Sequence, residues 1–240
     1  MKIRIAYHIV AQSSWEEITT NCINKMKASG LWAAADEIHM LCHYTPTMFD
    51  AFRAQLQHAD RRIIWHLFTD SILSRGESFS NAKLKLICDA DQEEWAVLRL
   101  HNKSSNYVNH PEQGIAYKWR DLIEYWNIER WQLLYSKLEQ GYDAAGNHWM
   151  TVPWPHFSGN VWWARSSYIR QLPLLPLPTN VNSTSLDLKG WTPRHESEAW
   201  VGLHNPNVWS ANPALSDWGY PGIGLGWKDY NIPFNNKETQ

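Results

Sequence analysis

The sequence predicts an α/β fold in which a mostly parallel central sheet is flanked by helices. Strand-like and helix-like segments alternate along the first half of the chain, a pattern typical of parallel sheets. With 240 residues, of which 44% are hydrophobic, the chain is long enough to bury one substantial core. We expect one domain over residues 1–204. An irregular tail rich in Trp, Pro, Gly and Asn should follow over residues 205–240 and pack on or cap that domain.

The first predicted elements are a strand and a helix. Residues 3–10 alternate and contain β-branched residues, which indicates a strand. Ser14 precedes two acidic residues and predicts the start of a helix, and Gly30 predicts its end. Further along, strands are predicted at 37–43, 61–68 and 95–100, and helices at 47–58 and 78–88.

The second half is predicted to contain one long amphipathic helix and then shorter elements. The helix runs from Tyr117 to Gln140 and is closed by Gly141. The proline-rich run 172–178 predicts an extended surface arm, because each proline removes a donor and fixes φ. A loop and strand are predicted over 154–163, short helices over 166–171 and 196–201, and no periodicity beyond His204.

Charge and cysteine content disfavour several function classes. A net charge of −2 and a pI of about 6.6 argue against general nucleic-acid binding. Cys22, Cys42 and Cys88 form no CxxC pair, which disfavours a disulfide framework and a zinc site and suits a reducing compartment. The N-terminus reads as a strand rather than a signal peptide, and no segment approaches the roughly 20 apolar residues of a membrane span. We expect a soluble, cytoplasmic protein.

The sixteen tryptophans exceed what a core of this size needs. An indole can cover the apolar face of a sugar ring, so the excess suggests a surface that handles carbohydrate, although several must fill the core. By itself the excess is a weak indication. A non-catalytic carbohydrate-binding module with a tryptophan platform is one function class that it allows.

The most specific segment runs from His156 to Ala164 and reads His-Phe-Ser-Gly-Asn-Val-Trp-Trp-Ala. With the residues that follow, it resembles the H-x-S-G-N-F-W-W-A…Y-I…L-P signature of small GT-A-like glycosyltransferases of bacteria, large DNA viruses and phages. The resemblance implies a GT-A-like domain that transfers a sugar from a nucleotide-diphosphate-sugar donor to an acceptor hydroxyl. Other parts of that family's pattern occur in order over residues 3–204: Tyr7-His8-Ile9, Ser29-Gly30-Leu31, Trp119-Arg120, 142–147 and Arg194…Glu198-x-Trp200.

Donor binding is expected at the ends of the early strands. The family's Y-L-H-T-K-G motif appears here as Arg99 to Ser104, without its glycine, and contains no carboxylate. His101, Asn102 and Lys103 could neutralise or bind the phosphates directly. Asp89 and Asp91 form a competing candidate, an Asp-x-Asp pair that could hold Mn²⁺ or Mg²⁺, although it precedes the strand. Tyr7, His8 and Arg194 complete the predicted donor site, and Asp70 and Glu77 are possible ribose or base contacts.

A carboxylate near the C-terminus is the predicted catalytic base. Glu198 could accept the proton of the acceptor hydroxyl in an inverting displacement. Glu196 is the alternative, on another face of the same short helix. Glu198 could instead only pair with Arg194, four residues earlier.

The signature segment is predicted to form the acceptor site. Its floor would consist of His156, Ser158, Gly159 and Asn160, in which the glycine allows close approach and the asparagine both donates and accepts. Of the adjacent Trp162 and Trp163, one is expected to face the core and one the cleft, and the alternative is that both are structural. The acceptor could be a glycan, a lipid-linked sugar, a protein or a modified DNA base. Donor sugar and oligomeric state stay open.

Overall fold

A seven-stranded sheet with helices on both faces forms the centre of the protein. The computed structural model describes residues 1–11, 13–43, 46–68, 76–102, 113–151, 154–175 and 193–211. The strands of this sheet lie in the order β3-β2-β1-β4-β8-β5-β9. They are β1 (Lys2–Val10), β2 (Glu37–His43), β3 (Ile63–Phe68), β4 (Trp95–His101), β5 (Ala144–Asn147), β8 (Trp162–Arg165) and β9 (Val208–Ala211).

The helices occupy the connections between these strands. A separate two-stranded hairpin pairs β6 (Trp149–Met150) with β7 (His156–Phe157). Two further short helical segments, a π-helix (Tyr125–Glu129) and a 3₁₀ turn (Trp200–Gly202), follow α5 and α8. The α-helices are α1 (Trp15–Ala28), α2 (Leu31–Ala34), α3 (Pro46–Ala59), α4 (Gly76–Asp89), α5 (Gln113–Glu124), α6 (Trp131–Glu139), α7 (Ser166–Ile169) and α8 (Pro193–Ala199).

Strand direction brings most strand ends to one edge. β1 to β4 are mutually parallel, and β8 runs antiparallel to both β4 and β5. β5 is parallel to β9, so six of the seven strands point the same way and only β8 is reversed. The predicted α/β fold with a mostly parallel sheet flanked by helices is therefore confirmed. The carboxyl ends of six strands and the amino end of β8 share one edge.

Alternation along β1 divides the core into two layers. Ile5, Tyr7 and Ile9 lie on the face covered by α1, in one cluster of buried apolar residues. Ala6 lies on the opposite face, in a second cluster that includes Leu84 of α4. Both faces of β1 are buried, as expected for a parallel sheet covered on two sides. Each large apolar side chain buried in this way contributes about 1.5–3 kcal/mol.

The long predicted helix over 117–140 is interrupted. The π-helix separates α5 from α6 because Asn127 takes other partners: its Nδ2 atom donates to the Ile123 carbonyl at 3.0 Å and to Asn147 Oδ1 at 2.9 Å. The Asn127 carbonyl in turn accepts the Nε1–H of Trp163 at 3.0 Å. Apolar periodicity cannot predict such a wide turn, since a buried amide and an indole from other elements stabilise it.

The chain beyond residue 204 also differs from the expectation of irregular structure. Val208–Ala211 forms β9, which pairs with β5 in the main sheet. The strand has four residues in a segment rich in Asn and Pro, so its partner rather than its own pattern makes it a strand. The sheet therefore extends past the predicted domain limit at 204. Residues 212–240 lie outside the described part.

Among the described residues, no helix is long and apolar enough to cross a membrane. All three cysteines are described, and each is a buried free thiol. Burial raises the pKa of Cys88 to about 11, so this thiol stays protonated at neutral pH.

Candidate functional site

Polar side chains gather at the edge of the sheet where the parallel strands end. His8 lies near the end of β1, His43 ends β2 and His101 ends β4. Asn160 precedes the reversed strand β8, so it reaches the same edge. Asn147 ends β5. In open α/β sheets, ligands collect outside these carboxyl ends, and this edge is therefore the candidate site.

The carboxylate of Glu77, in the first turn of α4, is the centre of the polar cluster. Its Oε2 atom accepts a hydrogen bond from the Arg99 guanidinium at 2.6 Å and another from the Asn160 side-chain amide. Its Oε1 atom lies 3.3 Å from His101 Nδ1. One side chain thus joins α4 to the end of β4 and to the turn before β8.

Arg99 stabilises the cluster from beneath. Its side chain is 1% exposed. Besides the ion pair with Glu77, it donates to Asn81 Oδ1 at 3.3 Å and to the Asn160 carbonyl. Breaking a buried ion pair of this kind by removing one partner costs about 3–5 kcal/mol. Because all three nitrogens of the guanidinium already donate to protein groups, Arg99 holds the site together rather than offering donors to a ligand.

His101 lies between two hydrogen-bond acceptors. Its Nε2 atom is 2.9 Å from the Gly159 carbonyl, and its Nδ1 atom faces the Glu77 carboxylate. The end of β4 therefore presents an imidazole ring between two protein acceptors, rather than the carboxylate of an Asp-x-Asp pair.

His8 is buried beside α4. Its Nδ1 atom is 2.5 Å from Ser80 Oγ, and its Nε2 atom has no hydrogen-bond partner among the described residues. Burial lowers the pKa of His8 well below its usual range; Glu77 opposes this shift, and the nearby His43, Arg99 and His101 add to it. His8 is therefore neutral, with one ring nitrogen donating and the other accepting.

The turn over residues 158–160 contains two residues with positive φ, and the first of them is a glycine. Gly159 has φ +86°, and a Cβ there would lie 2.5 Å from Ile123 Cδ1. Asn160 also has a positive φ of 51°. Its Oδ1 atom accepts the Nε1–H of Trp162 at 3.0 Å, and its Nδ2 atom lies 3.3 Å from the Ser197 carbonyl. These contacts connect the signature segment to α8.

Helix α8 is docked on the start of α4. Ser197 Oγ lies 2.6 Å from Ser78 Oγ, and the Ser197 carbonyl accepts the side-chain amide of Asn81 at 2.9 Å. Glu196 and Glu198 flank this serine and are 5% and 9% exposed. Ser197 contacts Asn160, and Asn160 contacts Glu77. The helix that carries Glu196 and Glu198 is therefore connected to the polar cluster around Glu77, which we call the strand-end cluster.

His156 lies next to α8 on the short strand β7. Its Nδ1 atom lies 2.8 Å from the Trp154 carbonyl, so Nδ1 donates and Nε2 of the neutral ring accepts. Burial lowers the pKa of His156, while the Trp154 carbonyl and the Glu198 carboxylate raise it and His195 lowers it. The ring is thus a neutral acceptor near Glu198. Ser158, on the same segment, donates its backbone N–H to the His148 carbonyl at 3.0 Å.

Two predicted donor-binding residues have other contacts. The Asn102 side chain accepts the Val10 backbone N–H at 3.1 Å and donates to the Val10 carbonyl at 2.9 Å, which extends the pairing of β1 with β4. Tyr7 is fully buried and faces α1, on the other side of the sheet from His8. Burial raises the pKa of Tyr7 well above its usual range. Lys103, Asp70 and the side chain of Arg194 lie outside the described residues.

The predicted acidic pair lies at the opposite end of β4. Asp91 Oδ2 accepts the Trp95 indole N–H at 2.6 Å and pairs with Arg4 at 3.3 Å. Asp89 pairs with Lys85 at 2.5 Å. Seven residues of strand, about 20 Å, separate this end from His101, so the pair does not reach the strand-end cluster. In the described ranges, no three His, Cys, Asp or Glu side chains are arranged to hold a metal ion.

The tryptophans mostly fill the core. Trp162 and Trp163 are both 0% exposed, and the predicted cleft-facing orientation of one of them is not found. They lie in the two different core clusters, because alternation along β8 points them to opposite faces, and both faces are covered. Among the thirteen described tryptophans none is exposed: eight are buried and five half-buried (Trp65, Trp131, Trp149, Trp154 and Trp209).

Sequence reasoning missed three residues of the cluster, namely Ser80, Asn81 and Arg99 in its own right. A signal for the first two existed. Glu77, Ser80 and Asn81 repeat at helical spacing on one face of a helix that is otherwise apolar on its buried side. Arg99 had no comparable signal, because a charged residue inside a strand is buried or exposed according to its neighbours.

One family model matches the chain. The model is described as a domain of unknown function, DUF8361, and it matches residues 50–192, more than half of the chain. The chain therefore belongs to this family. No curated protein matches the chain.

Proposed function

We propose that this protein is a glycosyltransferase on a GT-A-like domain, which moves a sugar from a nucleotide-diphosphate-sugar donor to an acceptor hydroxyl. The supporting observation is the cluster around Glu77, His101 and Asn160 at the ends of the parallel strands, with the carboxylates of α8 linked to it. This edge is where ligands bind in open α/β sheets. The free, buried thiols suit the reducing cytoplasm in which we expect it to act.

The donor diphosphate would bind at the end of β4. His101 lies there with both ring nitrogens facing protein acceptors, so Lys103, two residues later in the sequence, would supply the direct phosphate contact. An ammonium donor forms short, strong hydrogen bonds to phosphate oxygens and offsets the charge that develops on the leaving group. His8 lies under this edge next to Ser80, and its buried Nε2 atom has no hydrogen-bond partner among the described residues.

The transfer step needs a base for the acceptor hydroxyl. The hydroxyl oxygen forms the new bond to the anomeric carbon while the bond from that carbon to the diphosphate breaks, and the nucleoside diphosphate leaves with the bonding electron pair. A carboxylate oxygen of α8 takes the hydroxyl proton. Glu198 is the first candidate because it matches the glutamate of the family's R…E-x-W pattern, and Glu196 is the alternative. The outcome would be inversion at the anomeric carbon.

The acceptor would lie along the signature segment. His156 presents a neutral ring with an accepting Nε2 atom, which suits a hydrogen bond from a sugar hydroxyl. Gly159 lies close against α5, and the Asn160 side chain already contacts Glu77 of α4 and Ser197 of α8. We therefore assign acceptor contact to His156, and assign the rest of the segment to holding the site in shape.

The proposal is tested first by binding. We expect UDP, GDP or TDP to raise the melting temperature of the protein, by mass action on the folded state. Then Glu198→Gln should retain that shift and lose sugar transfer to acceptor, with Glu196→Gln tested beside it. Glu93→Gln is the matched control, because this glutamate is exposed and pairs with Lys2 at the opposite edge. If no nucleotide changes the melting temperature, the proposed function is wrong.

A non-catalytic carbohydrate-binding module is the second candidate. Its tryptophan platform has little support in the described part of the chain, where every tryptophan is buried or half-buried. Three further tryptophans, Trp191, Trp218 and Trp227, lie outside that part. Stabilisation by glycans without any effect of nucleotides would favour this second candidate.

A further inference from the structure

The contacts of Glu77 connect two parts of the candidate site that are far apart in the sequence. Its carboxylate contacts His101 at the end of β4 and also accepts the side-chain amide of Asn160. The same Asn160 amide lies 3.3 Å from the carbonyl of Ser197, in the middle of α8. One path of direct contacts therefore leads from the strand end to the helix that holds Glu196 and Glu198.

Asn160 depends on its surroundings for this geometry. It has a positive φ, which is uncommon for a residue with a side chain, and it follows Gly159, which also has a positive φ. Besides its contact with α8, four groups restrain it: the Glu77 carboxylate at Nδ2, the Trp162 indole at Oδ1, the Arg99 guanidinium at the carbonyl and the Phe157 carbonyl at the backbone N–H. Of these, only Glu77 acts on the amide nitrogen that also faces α8.

We infer that Glu77 is a positioning residue, which aligns the Asn160 amide on the Ser197 carbonyl and so holds the two carboxylates of α8 against the ends of the parallel strands. A charged acceptor orients an amide more strongly than a neutral one, so the carboxylate fixes which way the side chain of Asn160 points. The part of this inference that concerns catalysis rests on the proposed function. The part that concerns the order of α8 does not.

Hydrogen exchange of the backbone amides over residues 195–202 is the direct measurement. Glu77→Gln keeps the shape of the side chain but places an amide among the donors of Arg99 and Asn160. We expect exchange of α8 to rise about tenfold or more beyond the rise in β1 and β2, whose core amides report the overall stability lost with the Arg99 ion pair. Glu93→Gln, which removes an exposed carboxylate at the opposite edge, should leave α8 unchanged.

A double-mutant cycle separates this role from general stabilisation. Asn160→Gly keeps the positive φ but removes the amide that links Glu77 to α8. If Glu77 acts through that amide, Asn160→Gly should raise α8 exchange about as much as Glu77→Gln, and the double variant should exceed neither. Multiplication of the two effects in the double variant would overturn the inference, as would a rise in α8 exchange no greater than the rise in β1 and β2.

Trp162→Phe is a further control, because it removes the other side-chain hydrogen bond of Asn160 and leaves the Glu77 contact. We expect less increase in α8 exchange with this variant than with Glu77→Gln. The nitrogen resonances of the His101 ring give a spectroscopic readout: Glu77→Gln should shift Nδ1, whereas Asn160→Gly should not. An absence of nucleotide binding would contradict the proposed function and leave the exchange cycle fully interpretable.

Discussion

His39 Nδ1 lies 3.0 Å from His66 Nε2 on the neighbouring strand, and the planes of the two rings differ by only 11°. Glu37 Oε2 lies 3.0 Å from the other ring nitrogen of His39 and is paired with Arg4 at 2.8 Å. A carboxylate can only accept, so neutral His39 donates from Nε2 and receives the proton of His66 at Nδ1. Protonation of His39 at Nδ1 removes that acceptor.

This pair predicts loss of stability in mild acid. Burial lowers the pKa of His66 to about 4, with the charges of His39 and Lys83 adding to the shift, and burial also lowers the pKa of His39. Between the unfolded value of about 6.5 and pH 4, the unfolded chain binds more protons than the folded one. The free energy of unfolding therefore decreases as the pH falls through this window.

Urea unfolding at pH 7.5 and at pH 4.5 measures the effect. We expect His66→Asn to reduce the difference between the free energies of unfolding at the two pH values by about 1–2 kcal/mol. This is less than the full pKa shift of His66 implies, because the ring is half-exposed and its charge is screened by solvent. His204→Asn, an exposed histidine on a turn, should leave the difference unchanged. An equal acid sensitivity in His66→Asn and the wild-type protein would show that the pair is not responsible.

The turn at Gly159 predicts a large cost for the smallest possible substitution. Gly159→Ala combines a positive φ with a Cβ only 2.5 Å from Ile123 Cδ1. We expect it to lower the free energy of unfolding by about 3 kcal/mol, the sum of backbone strain and overpacking. Gly30→Ala is the matched control, since Gly30 has φ +79° but no atom within 4 Å of the added Cβ. It should cost about 1 kcal/mol, and equal costs would mean that the contact with Ile123 relaxes.

Asn102 is predicted to stabilise the protein, because its side chain pairs with the backbone at the end of β1. Asn102→Ala removes both the donor and the acceptor that pair with the Val10 backbone. We expect a loss of about 2 kcal/mol in urea unfolding, because two backbone groups at a partly buried strand end lose their partners. Asn207→Ala, at an exposed position, should change stability by less than about 0.5 kcal/mol. Similar values for the two variants would contradict this structural role.

The contacts of Asp91 predict that this carboxylate does not hold a divalent metal ion when a nucleotide binds. Its oxygens are bonded to Trp95, Arg4 and the Glu93 backbone N–H, at the amino end of β4. We expect the melting-temperature shift caused by a nucleoside diphosphate to be equal in Mn²⁺ and in EDTA. Asp91→Asn should lower the melting temperature itself, because Arg4 is buried and loses a charged partner.

A nucleotide-induced shift that requires Mn²⁺ and disappears in Asp91→Asn would show that this aspartate holds a metal after all. A requirement for Mn²⁺ that survives Asp91→Asn would instead point to ligands outside the described residues.

Patterns that depend on local spacing were predicted well. The alternation of β1 and the capping residues around α1 predict elements that the structure has within one or two residues, since a buried strand and an amphipathic helix each follow from periodicity. The motif of the His156–Ala164 segment predicts that it belongs to the site. Its glycine and Asn160 do have the positive φ values of a turn next to the strand-end cluster.

Contacts between distant segments were not predictable. Whether Asn102 faces a ligand or Val10, and whether Trp162 faces a cleft or Trp200, depends on elements more than 30 residues away. The π-helix likewise depends on Asn147 and Trp163, 20 and 36 residues away, which supply partners to Asn127. A hydrogen bond of this kind has no signature in the spacing of either partner.

In the first half of the chain, the sequence by itself determined the order of strands and helices, and hence that the ends of β1, β2, β3 and β4 would meet at one edge, because periodicity and turn residues act locally. Only the tertiary structure decided which polar groups share that edge. It joined Glu77 to His101 and Asn160, turned Tyr7 to the far side of the sheet and left Asp91 at the opposite end of β4. The physical reason is that burial and charge pairing are properties of neighbours, which the chain acquires only when the sheet has formed.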